Sequence, residues 1–215
     1  MQELYRNIDK NIIPKLPRFN FEGKIVVVQG QFEAQRAVNA LMRQTMLGID
    51  TETRPSFKKG IENKVALLQI SSEKLCFLFR LHTLGLCKPL VTLLEAEDIQ
   101  KIGLSLKDDI FRLRKIKPFT PKSFIDLQDY VKRFGIEDMS LQKIFANVFR
   151  LRISKNARLS NWEADVLTET QKLYAATDAY ACLKLYRHLK KLEGTNAFKL
   201  IPPDAEDSSD QETNY

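Results

Sequence analysis

Two carboxylates stand two residues apart in "LGIDTETRP" (47 to 55), Asp50 and Glu52. Side chains alternate along a strand, so both project to one face while Leu47 and Ile49 project to the other. Like charges this close repel one another unless a cation lies between them, and Arg54 is near enough in sequence to serve. A third carboxylate, Asp178, lies in "LYAATDAYACLKLYR" (173 to 187). A 3.6-residue period puts Leu173, Ala176, Tyr180 and Leu183 on one face there, and Tyr174, Asp178, Ala181 and Leu185 on the adjoining one. Lys184, Arg187 and Lys191 form a third stripe, the one with solvated character. An unpaired aspartate in an apolar sector either costs free energy or takes up a proton, and the helix offers no cation on that face. Asp108 and Asp109 form a further acidic pair in "IGLSLKDDIFRL" (102 to 113), at the junction of a strand and a helix. Helix capping accounts for one of the pair; the other is either a solvated first-turn residue or part of something else.

The elements that must position these groups alternate between strand and helix. "GKIVVVQ" (23 to 29) and "MLGIDTE" (46 to 52) read as strands flanking an amphipathic helix in "QFEAQRAVNALMRQ" (31 to 44). "KVALLQIS" (64 to 71) and "KLCFLFRL" (74 to 81) form a predicted hairpin about Ser71-Ser72-Glu73. A helix near 89 to 97, a strand at 100 to 104 and a helix at 108 to 116 follow. Helical segments are predicted near 127 to 134, 140 to 149 and 168 to 191, the last opened by a capping box of Thr168 and Gln171. This order predicts the α/β class, a mixed sheet flanked by helices. Asp50 and Glu52 close its second strand, and strand ends are where such sheets collect ligands.

The chain of 215 residues, 44% hydrophobic, has the material for one domain with a sizeable core. Its formal charge is +7, but residues 204 to 215 hold five acidic side chains and no Lys or Arg, which leaves a body with 34 basic and 22 acidic side chains. A body that basic favours a polyanionic partner, and the acidic tail has the composition of solvated disorder. Cys76, Cys87 and Cys182 lack disulfide or zinc spacing, as expected of a reducing compartment. No apolar run reaches the roughly 18 to 20 residues of a membrane span, so the expectation is a cytoplasmic protein with no membrane partner. The expected organisation is a helical extension over 1 to 19, one domain over 20 to 192 and an acidic disordered tail over 193 to 215.

Taken in order, "DTE", "SLKDDIFRL" and "YAATD" resemble the three motifs of the DEDD superfamily of 3'-5' exonucleases. The Tyr-x-x-x-Asp form of the third motif points to the tyrosine subgroup, which includes ribonuclease D and polymerase proofreading domains. "KVALLQIS" and "LSNWEADVLTETQKLYAATDAYACLKLYR" are most similar to exonuclease domains of the Werner-syndrome type, and the resemblance runs from about residue 20 to about 192. One departure is Ser105, where many relatives carry Asn before Leu-Lys.

The resemblance implies a ribonuclease H-like fold and hydrolysis of phosphodiester bonds at a DNA or RNA 3' end, releasing nucleoside 5'-monophosphates. It implies two ions, Mg²⁺ or Mn²⁺, suited to oxygen ligands. Asp50, Glu52 and Asp178 match the ligands of the water-activating ion, and Asp50, assisted by Asp109, those of the ion near the leaving group. Asp108 stays open as the alternative second-motif aspartate. Tyr174, one turn before Asp178, matches the hydroxyl that orients water, since a phenol with an ordinary pKa near ~10 is a poor base. Arg54, Lys58, Lys59, Lys64, Lys155 and Arg158 are candidates for phosphate contacts and Phe57 for base stacking. Trp162 matches a packing position, and His82 and His188 receive no role. Two other functions stay open: an RNA-processing enzyme of the ribonuclease D kind, or a catalytically silent nucleic-acid-binding module on the same fold.

Overall fold

Val65–Ser71 is buried along its whole length, as a strand covered on both faces must be, and it runs through the middle of the molecule. The computed structural model describes residues 1–55 and 63–201. In chain order its strands are β1 (Gln2–Tyr5), β2 (Lys24–Val28), β3 (Met46–Thr53), β4 (Val65–Ser71), β5 (Leu75–Arg80), β6 (Gln100–Gly103), β7 (Phe124–Asp126) and β8 (Phe198–Ile201). Its helices are α1 (Gln31–Leu41), α2 (Leu81–Leu84), α3 (Lys88–Glu95), α4 (Leu106–Ile116), α5 (Leu127–Tyr130), α6 (Leu141–Phe149) and α7 (Glu169–Thr195).

Six strands form one mixed sheet in the order β2-β5-β4-β3-β6-β7. The predicted hairpin is present as the antiparallel β4–β5 pair, and β3 joins β4 antiparallel and β6 parallel. On one face, Ala37, Val38 and Leu41 of α1 and Leu90, Leu93 and Leu94 of α3 pack with Leu47, Ile49, Leu68, Ile70 and Phe79. On the other face, α7 buries Ala175, Ala176, Ala181, Leu183 and Leu185 against residues such as Ala66, Leu67, Leu78 and Ile102. Its first turn is fixed as predicted: Gln171 N donates to Thr168 Oγ1 (3.2 Å), and Thr168 N donates back to Gln171 Oε1 (3.0 Å).

Three expectations change. The segment 1 to 19 is no helical extension, because it holds strand β1 and a single 3-10 turn, Ile13–Lys15. β1 finds a parallel partner in β8, and the Tyr5 and Ile8 amides donate to Asn147 Oδ1 and Asp138 Oδ2, both at 2.9 Å. The stretch after 192 is correspondingly ordered at its start, since α7 runs to Thr195 and β8 follows; the acidic residues from 204 lie outside the described residues. The helix expected over 127 to 134 divides into α5 and a 3-10 turn, Val131–Phe134, and the short strand β7 precedes it. No helix among the described residues is long and apolar enough to cross a membrane.

Candidate active site

α7 crosses β3 at Gly48, where the missing side chain lets the Ala179 carbonyl come up against the strand backbone. Gly48, Asp50 and Glu52 share the face of β3 turned toward the helix, so this close approach sets the two carboxylates beside Asp178. Carboxylate oxygens of Asp50, Glu52 and Asp178 all lie within 4.8 Å of one another. Asp178 is only 8% exposed, and its Oδ1 has no hydrogen-bond partner. Gln69 lies opposite Asp50 in the β3–β4 register and donates its Nε2 to Asp50 Oδ2 at 3.4 Å.

Asp109 reaches the site from α4, past the end of β6. Its Oδ1 accepts a 2.6 Å hydrogen bond from the Thr51 hydroxyl, between the two carboxylates of β3 in sequence. Asp108, its neighbour, is exposed and has no such bond. Geometry thus separates the tandem pair, with Asp109 turned toward β3 and Asp108 toward solvent. Both stand in the first turn of α4, where they complement its dipole, but neither caps it with a side-chain hydrogen bond: Asp126, at the end of β7, accepts from the Ser105 and Leu106 amides (3.0 and 2.8 Å) and holds that turn in place.

The Tyr174 hydroxyl faces the Asp178 carboxylate, and its ring lies against buried Trp162 with centroids 6.0 Å apart. Lys155 and Arg158, on the loop before α7, act electrostatically on Asp178 and Glu52 respectively. Arg54 turns instead to Glu163, at 3.4 Å. Phe57, Lys58 and Lys59 lie outside the described residues.

Burial, joined by repulsion from Glu52, Asp178 and Asp109, pushes the Asp50 carboxyl well above the ordinary carboxylate range. Glu52 is raised to about 9 by burial and by the charges of Asp178 and Asp109, against the opposing pull of Arg158. Burial carries Asp178 to about 7, with the Tyr174 hydroxyl and Lys155 opposing. Asp109 rises to about 6, again through burial, while the Thr51 hydroxyl and Arg112 hold it down. Tyr174 is raised by burial and by Asp178 and Glu52, so its phenol keeps its proton. For each of these carboxylates burial is the largest cause, and the nearby cations Arg158, Lys155 and Arg112 offset only part of it. An all-oxygen donor set with an orphaned buried oxygen fits a hard divalent cation, and the triad can coordinate one.

Three residues of this arrangement escaped the sequence reading. Gln69 left a signal, as the polar interruption of the apolar run "KVALLQIS". Thr51 and Asp126 left none, because their roles depend on which strands lie side by side.

A mixed sheet with helices on both faces and acidic side chains gathered between a strand and the crossing helix defines a ribonuclease H-like nuclease scaffold. The sequence profile described as 3'-5' exonuclease matches residues 25–192, and the chain belongs to that family, within the DEDD superfamily. It is 33% identical over 199 residues to the bifunctional 3'-5' exonuclease/ATP-dependent helicase WRN of Mus musculus, covering 87% of this chain and 14% of that protein's length. The fold matches the Aedes aegypti Nibbler EXO domain with a TM-score of 0.74 at 20% identity, over 84% of this chain and 95% of that one. It matches Trypanosoma brucei RNase D in complex with RNA with a TM-score of 0.70 at 20% identity, over 79% of this chain and 63% of that one.

Proposed function

We propose that this chain is a metal-dependent 3'-5' exonuclease of the ribonuclease D kind, hydrolysing the terminal phosphodiester bond of a nucleic acid and releasing nucleoside 5'-monophosphates. The observation that carries this reading is the convergence of Asp50, Glu52 and Asp178 around an unpartnered buried oxygen of Asp178. Asp50, Glu52 and Asp178 would hold one Mg²⁺ or Mn²⁺, and Asp50 with Asp109 a second. When bound, such ions supply a nucleophile from water at neutral pH and shield charge on the phosphate and the departing 3' oxygen.

The chain's own residues do the positioning. Tyr174, backed by Trp162, orients the attacking water through a hydroxyl that stays protonated. Lys155 and Arg158 face the cluster and are placed to meet the phosphates of the strand. The body's excess of basic side chains suits a polyanion. Likeness to a ribonuclease D solved with RNA supports RNA as the polymer, ahead of DNA.

The test uses purified protein with Mg²⁺ or Mn²⁺ on matched 5'-labelled RNA and DNA, single-stranded and with a recessed 3' end. A ladder shortening from the 3' end, faster on RNA and absent for Asp50→Asn, is the expected outcome. A faster DNA ladder would reverse the polymer assignment. Salt-sensitive binding with no metal-stimulated product would replace the enzyme with a binding module.

A further inference from the structure

We propose that Arg80 is a positioning residue for this site: its buried guanidinium fixes the far side of the 154–167 loop, and through it the place of Trp162 behind Tyr174. The inference rests on the exonuclease reading for its catalytic consequence and on geometry alone for the contact.

Arg80 ends β5 and is 1% exposed. A buried guanidinium is costly to desolvate, and this one is bound to backbone of the loop. Nη1 donates to the Asp165 carbonyl at 3.3 Å and Nη2 to the Ala164 carbonyl, while the Asp165 carboxylate of the same loop attracts it. His82 orients the fork from behind. Its Nε2 lies 3.1 Å from Arg80 Nη2 and its Nδ1 lies 3.3 Å from the Ala66 carbonyl. The tautomer with the proton on Nδ1 satisfies both, donating to Ala66 and accepting from Arg80.

The loop itself has mostly local turns, such as Arg158 N to the Lys155 carbonyl (3.1 Å) and Ser160 N to the Ala157 carbonyl (3.1 Å). Such turns give it shape but do not fix its place on the sheet. Gln171 ties its middle to α7, donating Nε2 to Ser160 Oγ (3.0 Å) and to the Asn161 carbonyl (3.1 Å). Arg80 ties its far side to the sheet, 84 residues away in sequence. Between these two anchors Trp162 is fully buried behind Tyr174, and upstream of them Lys155 and Arg158 face Asp178 and Glu52. Gln171 stands between Arg80 and the Lys155–Arg158 stretch, and Glu163 pairs with Arg54 (3.4 Å), so releasing the Arg80 anchor loosens the stretch around Trp162 and with it the backing of Tyr174.

Trp162 is the single tryptophan of the chain, so its fluorescence reports the loop without reference to activity. In Arg80→Met, the emission of Trp162 shifts to the red and acrylamide quenches it several times more strongly than in the wild type. kcat/KM on the preferred polymer falls roughly 10- to 100-fold, the scale of a misplaced positioning group. Arg80→Lys, which keeps one donor for a loop carbonyl, recovers part of both, and it carries the test alone if Arg80→Met does not fold. Lys101→Met is the control: Lys101 is as deeply buried and donates to the Ala96 carbonyl at 2.6 Å, away from this loop. Its thermal midpoint falls while Trp162 fluorescence and KM stay at wild-type values. Wild-type emission and quenching in the Arg80 variants overturn the proposal, as does an equal spectral change in Lys101→Met. A wild-type protein that shortens no nucleic acid overturns the exonuclease reading instead, and the fluorescence arm still decides whether Arg80 holds the loop.

Discussion

A β-carbon placed on Gly48 would lie 1.9 Å from the carbonyl oxygen of Ala179, so strand β3 and helix α7 meet backbone to backbone one residue from Asp178 and two from Asp50. Gly48→Ala must push the helix off the strand, because the clashing atom is main chain. Overpacking of this kind costs about 1–3 kcal/mol or more. The thermal midpoint should drop by roughly 2–4 °C per kcal/mol in a domain of this size. Exonuclease activity should fall further than the lost stability explains, as the carboxylates separate; a wild-type melt by circular dichroism would contradict this contact.

Asp109→Asn and Asp108→Asn should behave differently. The first changes a group bonded to Thr51 and exerting charge on Asp50 and Glu52, and it should lower kcat on the order of 10²-fold. The second changes an exposed side chain and should leave kcat within about twofold. Steady-state rates on one labelled strand make the comparison, and equal losses would mean that both aspartates serve the site.

Without a divalent ion, stability should fall as pH rises. Glu52, Asp178 and Asp109 have folded-state pKa values raised to about 9, 7 and 6, so these three groups hold more protons in the folded chain than in the unfolded one between about pH 4 and about pH 9. Their stabilising contribution is complete below the unfolded values near ~4 and is lost as pH climbs through the folded ones. Thermal scans in EDTA from about pH 5 to about pH 9 should show a declining midpoint, flattened in Glu52→Gln. Added Mn²⁺ or Mg²⁺ should restore more stability at the alkaline end, because the carboxylates must be ionised to bind it.

Tyr174→Phe keeps the ring against Trp162 and removes the hydroxyl facing Asp178. We expect kcat to fall roughly 10- to 100-fold with KM nearly unchanged, since the hydroxyl acts on water and leaves strand binding alone. Tyr174→Ala should in addition loosen Trp162 and lower the thermal midpoint. If Tyr174→Phe raised KM and spared kcat, the hydroxyl would belong to substrate binding instead.

Much of the layout was legible because the local patterns agreed with the fold. The capping box of Thr168 and Gln171, the paired runs that became β4 and β5, and the buried stripe of α7 all stood in the sequence. What was missed is short or depends on pairing. β1 and β8 are four residues each and become strands only by finding one another across nearly the whole chain. Asp126 reads as an ordinary loop acid until β7 is placed beside β6, where its carboxylate meets the first amides of α4.

Asp178 announced itself by breaking the polarity of its helix face, Asp50 and Glu52 by standing as two like charges on one strand face, and Tyr174 took its role from the motif they complete; local periodicity is written in the order of residues. Their meeting was expected only through the resemblance of the motifs to a family, not through any local pattern. Bringing β3 and α7 into contact depends on a glycine that permits it, and choosing Asp109 over Asp108 depends on a threonine reached across the end of the sheet. Distances between side chains far apart in sequence are set by packing, which exists only once the sheet and its helices have assembled.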